Sequence, residues 1–148
     1  MFQGETAITI DEKGRMSIPT AHRESVAGAC GGRLVATYNP FEAGCLWLFP
    51  PQEWESVRAQ VVALPTAKAV HRNLQMKLVG AAALLEVDGA GRVLLPASQR
   101  AAAGIERRAV LLGMGARFEL WSEQAHLAKV RETIVEDQVT PEMAGLRL

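Results

Sequence analysis

The chain has 148 residues, 49% of them apolar and 22% charged, and its 16 basic and 16 acidic side chains give a formal net charge of zero. This composition is typical of a globular protein and excludes disordered and fibrous chains. It also excludes a general attraction for phosphate, so a nucleic acid would need a local basic patch. The sequence shows neither a secretory signal nor an apolar run of membrane-spanning length. We therefore expect a cytoplasmic protein without membrane contact.

One motif occurs twice, at a constant spacing of 77 residues. The frame D-x-x-G-R-x-x-x-P covers Asp11–Pro19 and returns at Asp88–Pro96. In each copy a further arginine, Arg23 or Arg100, lies four residues after the proline. Two copies of one unit indicate a surface that is used in pairs, which favours binding of an extended, repetitive partner.

Each copy predicts the same order of elements. Ile8 and Ile10 alternate with polar residues ahead of the first motif, and Leu85 and Val87 stand at the same offsets ahead of the second. This alternation indicates strands with one buried face. In the first copy the elements that follow are a return strand at 16–18, a helix at 20–27 and a hairpin at 33–37 and 45–49. In the second copy the return strand is at 93–95, the helix at 97–103 and the hairpin at 109–113 and 117–121.

Three longer helices are predicted outside these units. The first begins at Pro51, a second runs over about 67–80, and a third begins after Ser122 with Leu127, Val130 and Ile134 on its apolar stripe. The chain is thus α+β, and small units of this size are expected to pack together and with other subunits. The predicted divisions are a first repeat at 5–53, a helical linker at 54–81, a second repeat at 82–125, and a C-terminal helix with a loose tail at 126–148.

The motif combines turn chemistry with a cation. Aspartate can accept backbone N–H bonds and glycine accepts positive φ, which explains two of its positions. The turn-forming residues are Asp11, Gly14, Asp88 and Gly91. Turn chemistry does not explain Arg15 and Arg92, whose fork suits phosphate and the guanine edge. The first turn adds Lys13 where the second has Ala90, so the first is predicted to contribute more to nucleic-acid binding.

These motifs, with the opening M-F-x-G and the segment Phe118–Trp121, resemble the MraZ family over nearly the whole chain. The resemblance implies two SpoVT-AbrB-type units of the swapped-hairpin fold, forming a small β-barrel-like core with flanking helices. It implies a nucleoid-associated transcriptional regulator that assembles into rings and binds promoter direct repeats in double-stranded DNA, usually repressing the division and cell-wall operon. By position it implies that Lys13, Arg15 and Arg92 face DNA, with Arg23 and Arg100 as supporting cations.

Other kinds of site are weakly indicated. The three histidines and the two cysteines lack metal-ligand spacing, and no cofactor fingerprint or nucleophile–base pair is evident. We therefore expect no enzyme, no metal, no cofactor and no small-molecule substrate. Two alternatives stay open: a duplicated β-barrel enzyme or ligand-binding protein, in which the turns would face a concave pocket, and a protein-interaction module with acidic partners. Of the three tryptophans, only Trp47 is predicted to face solvent.

Overall fold

Pairs of strands are separated by helices along the chain, and the computed structural model describes all residues, Met1–Leu148. The strands are β1 (Phe2–Thr9), β2 (Arg15–Ser17), β3 (Arg33–Tyr38), β4 (Cys45–Phe49), β5 (Ala83–Glu86), β6 (Arg92–Leu94), β7 (Arg108–Gly115) and β8 (Phe118–Ser122). The α-helices are α1 (Thr20–Ala27), α2 (Pro51–Val62), α3 (Ala69–Gln75), α4 (Ala97–Ala103), α5 (Glu123–Arg131) and α6 (Pro141–Ala144). The predicted α+β class is confirmed.

The two copies of the motif exchange strands. A six-stranded antiparallel sheet has the order β1-β7-β8-β4-β3-β5, so β1 of the first copy pairs with β7 of the second, and β5 of the second pairs with β3 of the first. The short return strands β2 and β6 pair with each other in a separate two-stranded ribbon. Neither copy therefore completes its sheet alone. The large sheet is open, with β1 and β5 at its edges, and the barrel-like closure stays a prediction.

Residues of both copies build one main core. Nineteen buried side chains form a single cluster, to which the first copy contributes Ile8 and Met16 and the second contributes Val93 and Phe118. The predicted alternation is visible in β1, where Ile8 is 7% exposed and its neighbour Thr9 faces solvent. A second cluster of eight residues, which includes all three tryptophans, lies under α2. Burial of this interlocked core holds the two copies in a fixed relation.

Two helical predictions need correction. The helix predicted over 67–80 is α3 followed by a π-helical turn, Met76–Gly80, and the Thr37 hydroxyl donates to the carbonyl oxygens of Lys77 and Leu78 within that turn. This side-chain bond from β3 explains how the wider turn is held. The apolar stripe predicted after Ser122 is not a packing face within the protomer, because Leu127 and Val130 are 46% and 63% exposed, and Ile134, 70% exposed, lies beyond the end of α5.

Candidate nucleic-acid interface

The first motif folds into a tight turn closed by Asp11. Its Oδ1 accepts the backbone N–H groups of Lys13 and Arg15, each at 2.9 Å, and its carbonyl oxygen accepts the N–H of Gly14 at 3.0 Å. Gly14 has φ +89°, a conformation that side-chain-bearing residues rarely adopt. The turn thereby leaves Lys13 exposed at its tip and places Arg15 at the first position of β2.

The second motif repeats this geometry. Asp88 Oδ1 accepts the N–H groups of Ala90 at 2.9 Å and Arg92 at 3.0 Å, and the Asp88 carbonyl accepts the N–H of Gly91 at 3.0 Å. Gly91 has φ +78°. The two turns are therefore alike in backbone conformation and differ at the tip, where Ala90 stands in place of a lysine.

The ribbon of β2 and β6 brings the two turns together. Arg15 lies opposite Leu94 and Ser17 lies opposite Arg92, while Met16 and Val93 face each other and are each 1% exposed. Because side chains alternate across a strand, the inner face of the ribbon is the buried Met16–Val93 pair. The outer face of the ribbon consists of Arg15, Ser17, Arg92 and Leu94.

Arginines from both copies thus emerge on one side. Arg15 and Arg92 are diagonal neighbours across the ribbon, a relation that spans about 7–8 Å in an antiparallel pair. Two further bonds tie the ribbon to the turns, from the N–H of Leu95 to the Gly14 carbonyl and from the N–H of Ile18 to the Gly91 carbonyl, both at 2.9 Å. The outer face is consequently one surface rather than two independent loops.

The two arginines are held differently by their turn aspartates. Arg15 Nε donates to Asp11 Oδ2 at 2.8 Å, whereas the matching distance from Arg92 Nε to Asp88 Oδ2 is 3.4 Å and Arg92 Nε has no hydrogen-bond partner. Both side chains stay partly open, at 28% and 34% exposure. Arg15 is the more firmly oriented of the two, since its Nε is bonded to a carboxylate.

The turn carboxylates are stabilised as anions. The backbone N–H of Arg15 is the main cause that lowers the pKa of Asp11 to about 2, and the Arg15 side chain adds to it. The pKa of Asp88 is lowered chiefly by the backbone N–H of Arg92, with a contribution from the charge of Arg15. Arg15 therefore acts electrostatically on the turn of the other copy, in agreement with the diagonal placement on the ribbon.

The helix arginines lie over the turns of the opposite copy. Arg100 Nε donates to the Leu95 carbonyl at 3.3 Å, and a β-carbon built on Gly14 would come within 2.8 Å of its guanidinium carbon. Arg23 Nε donates to the Ile18 carbonyl at 3.0 Å and lies beside Gly91. All five predicted cations are thus collected around the ribbon, and each helix arginine backs the turn of the opposite repeat.

A buried polar cluster outside this surface escaped the sequence-based reasoning. Glu119 is only 7% exposed, and its carboxylate accepts the indole N–H groups of Trp47 and Trp121, each at 3.0 Å, and an Arg117 N–H at 3.2 Å. The Arg117 guanidinium also stacks 4.0 Å from the Trp47 ring centre. The prediction that Trp47 faces solvent is wrong, since it is 8% exposed. Trp47 lies opposite Glu119 across β4 and β8. This pairing depends on the register of the two strands, so it could not be recognised from the sequence alone.

The histidines and cysteines are scattered. His22 packs between Phe2 and Phe118, and burial lowers its pKa. Cys30 and Cys45 are both buried free thiols, and burial raises the pKa of Cys45 to about 12. No three histidine, cysteine or acidic side chains are grouped so that they could hold a metal ion. None of the helices has the length and apolar character needed to span a bilayer.

Comparison with known proteins gives consistent matches over the chain. The family described as "MraZ protein, putative antitoxin-like" matches residues 1–77 and 78–143. The transcriptional regulators MraZ of Xanthomonas campestris pv. campestris (strain 8004) and Stenotrophomonas maltophilia (strain R551-3) are each 59% identical over 148 residues, covering 100% of both chains. That of Marinobacter nauticus is 43% identical over 147 residues, covering 99% of this chain and 98% of its own. The chain therefore belongs to the MraZ family, whose members are transcriptional regulators and not enzymes.

Proposed function

We propose that this regulator binds double-stranded DNA in a sequence-specific manner through the outer face of the β2–β6 ribbon. The observation that carries the proposal is the emergence of Arg15 and Arg92, from two separate copies of the motif, on one exposed side of a two-stranded ribbon. A two-stranded ribbon fits the major groove, and arginine is the side chain most often used to read guanine there. Lys13, at the exposed tip of the first turn, is suited to phosphate.

The remaining cations support this surface. Arg23 and Arg100 each donate only through Nε to a backbone carbonyl, so their terminal nitrogens are available for phosphate. Phosphate contacts fix the position of a protein on DNA, whereas base contacts specify the sequence. In this assignment Arg15 and Arg92 read bases, and Lys13, Arg23 and Arg100 hold the backbone.

We further propose that the neutral chain gains affinity by assembly. One protomer offers one small basic surface, and several protomers in a ring would engage tandem promoter repeats together and raise the apparent affinity without new contacts. The expected outcome is repression of the division and cell-wall gene cluster by a cytoplasmic, nucleoid-associated protein. Residues 5–53 and 82–125 are the proposed repeats, 54–81 the linker and 126–148 the C-terminal helix and tail. Closure of the sheet edges, β1 and β5, toward the ribbon would complete a barrel-like core.

The proposal is tested by fluorescence anisotropy with DNA from upstream of the protein's own coding sequence. One duplex carries a single repeat, a second carries all the repeats, and a third is scrambled. We expect tighter binding to the repeats than to the scrambled duplex, and a loss of that preference in the Arg15→Ala/Arg92→Ala variant.

The matched control is Arg107→Ala/Arg108→Ala, which removes two exposed cations that belong to neither the ribbon nor its turns. This control should keep its preference for the repeats. Equal binding of the wild-type protein to repeat and scrambled DNA would contradict the proposal and favour a protein-interaction module that recognises acidic partners.

A further inference from the structure

Although the net charge of the chain is zero, two of its segments carry opposite net charges. The linker, residues 54–81, carries a net charge of +3. The C-terminal tail, residues 132–148, carries a side-chain net charge of −3. The linker charges are Arg58, Lys68, Arg72 and Lys77 against Glu55, and the tail charges are Glu132, Glu136, Asp137 and Glu142 against Arg147. Opposite charge on two segments of one chain suits them to contact each other.

The linker also contains a preformed apolar groove. A cleft of about 300 Å³ lies where α2 meets α3 and the π-helical turn. Its lining residues are Val62, Thr66, Arg72, Gln75, Met76, Val79 and Gly80. Val62 and Met76 are 53% and 59% exposed there. Gln75 Nε2 donates to the carbonyls of Val61 and Leu64, both at 3.1 Å, which fixes α3 against the end of α2. The groove is therefore held open by the fold and edged by a cation, Arg72.

The tail presents apolar side chains that its own protomer leaves uncovered. Ile134, Val135 and Val139 are 70%, 51% and 46% exposed, and they are interspersed with Glu136 and Asp137. An apolar segment bordered by acids is the complement of an apolar groove edged by cations. Exposed apolar groups concentrated in this way mark an interaction surface.

The groove and the base of the tail lie over neighbouring strands on one face of the sheet. The helix α5, from which the tail leaves, packs on β7 and β8, while the linker packs on β3 and β4. Two polar contacts hold α5 at this position. Lys129 Nζ lies 2.8 Å from a carboxylate oxygen of Glu42, and His126 Nε2 lies 3.2 Å from one of Glu5. Because α5 is held at this site and the proposed function requires contacts between copies, we assign the segment in the groove to a second copy of the chain.

We propose that residues 132–139 of one copy dock in the linker groove of a second copy, with Ile134 and Val135 in the groove and Glu136 and Asp137 beside Arg72 and Lys77. The contact joins two different surfaces, so it propagates from copy to copy and produces a ring if the rotation closes. This docking rests on the self-assembly in the proposed function. It uses no residue of the β2–β6 ribbon.

Charge reversal tests the docking in both directions. Arg72→Glu/Lys77→Glu and Glu136→Lys/Asp137→Lys change exposed side chains only. Each variant alone should raise the protein concentration at the midpoint of assembly, measured by sedimentation and light scattering, by about tenfold or more. Mixing the two variants should restore association in trans, because the reversed groove then meets the reversed tail.

Matched controls separate the possible outcomes. Arg107→Glu/Arg108→Glu makes the same charge change in the second repeat and should leave assembly unchanged. Ile134→Asp should weaken assembly as well, without affecting the groove. Binding of every variant to a single-repeat duplex is measured in parallel and should match the wild type, since the ribbon is intact.

Three results would overturn the docking. A wild-type protein that stays monomeric rules out both the docking and the assembly part of the proposed function. An oligomer that is unchanged by both reversals rules out the docking alone. Reversals that do not rescue each other on mixing, but do so when combined in one chain, show that the tail occupies the groove of its own copy. A wild-type protein that does not bind the single-repeat duplex would contradict the proposed DNA recognition and not the docking.

Discussion

The guanidinium group of Arg100, from the second copy of the motif, lies directly against Gly14, the turn glycine of the first copy. A β-carbon at Gly14 would stand 2.5 Å from Arg100 Nη2 and 2.8 Å from Cζ. The reciprocal contact is looser, because a β-carbon at Gly91 would stand 3.4 Å from Arg23 Nε. Each turn is thus completed by an arginine of the other copy.

We predict different consequences for alanine at the two turn glycines. Both have positive φ, so Gly14→Ala and Gly91→Ala should each lower the free energy of unfolding by about 1–2 kcal/mol through backbone strain. Only Gly14→Ala must also push a guanidinium aside. Gly14→Ala should therefore weaken binding to the repeats more than Gly91→Ala, as measured by anisotropy alongside urea denaturation.

Gly4→Ala is the control for strain alone, since Gly4 has φ +102° and its β-carbon would meet no atom within 4 Å. In an Arg100→Ala background the extra loss of affinity caused by Gly14→Ala should disappear. If that loss persists without Arg100, the contact between Arg100 and Gly14 does not position the turn.

The two turns should contribute unequally to the salt dependence of DNA binding. Each phosphate neutralised contributes about 0.9 to the log–log slope. Lys13→Ala/Arg15→Ala removes the proposed phosphate contact of Lys13 together with a base-reading arginine, whereas Arg92→Ala removes a base-reading arginine alone, so the double change should flatten the slope more. The negative charge of Glu12 offsets part of the charge of Lys13, which reduces the expected difference between the two slopes. The slopes are obtained from binding constants measured over a salt series. If Arg92→Ala flattens the slope more than the double change does, the second turn is the main contact with DNA.

The buried histidine predicts a pH dependence of stability. Burial lowers the pKa of His22 below its ordinary 6.5, so the unfolded chain binds more protons than the folded one between the two values. The contribution of His22 to the free energy of unfolding should therefore be complete above about pH 6.5 and should fall as the pH drops toward the folded pKa. Urea denaturation from pH 7.5 to 5 measures this dependence.

His22→Leu should remove that part of the slope, because leucine can occupy the space between Phe2 and Phe118 without titrating. His71→Gln, at a site outside the core, is the matched control and should keep the wild-type dependence. Identical slopes for His22→Leu and the wild type would show that His22 does not contribute.

Glu119 is predicted to be a stability residue. Glu119→Gln leaves one oxygen where two indole N–H groups and Arg117 now share a carboxylate, so at least one buried donor loses its acceptor. We expect a loss of about 2–3 kcal/mol in the free energy of unfolding and a change in tryptophan fluorescence. The exposed Glu123→Gln is the control. A stability within about 0.5 kcal/mol of the wild type would contradict this role.

The local features of this protein follow from the sequence by itself. The helices at 20–27 and 97–103 begin after a proline and end at a glycine, and the structure places them at those residues. The turns around Asp11 and Asp88 form because an aspartate oxygen and a glycine with positive φ satisfy a tight turn within four residues. Repetition of the motif indicated two related units, since each unit carries its own turn chemistry.

The relations between the copies were decided only by the tertiary structure. The sequence predicts return strands at 16–18 and 93–95, but the pairing of Met16 with Val93 joins strands 77 residues apart and is visible only in the fold. The contact of Arg100 with Gly14 and the bond from Trp47 to Glu119 are likewise visible only in the fold. Simple alternation along β4 had predicted that Trp47 faces solvent. Turns and short helices are determined by hydrogen bonds between neighbours in the chain. The pairing of strands is determined by burial of the shared core, and the free energy of that burial is gained only when both copies have come together.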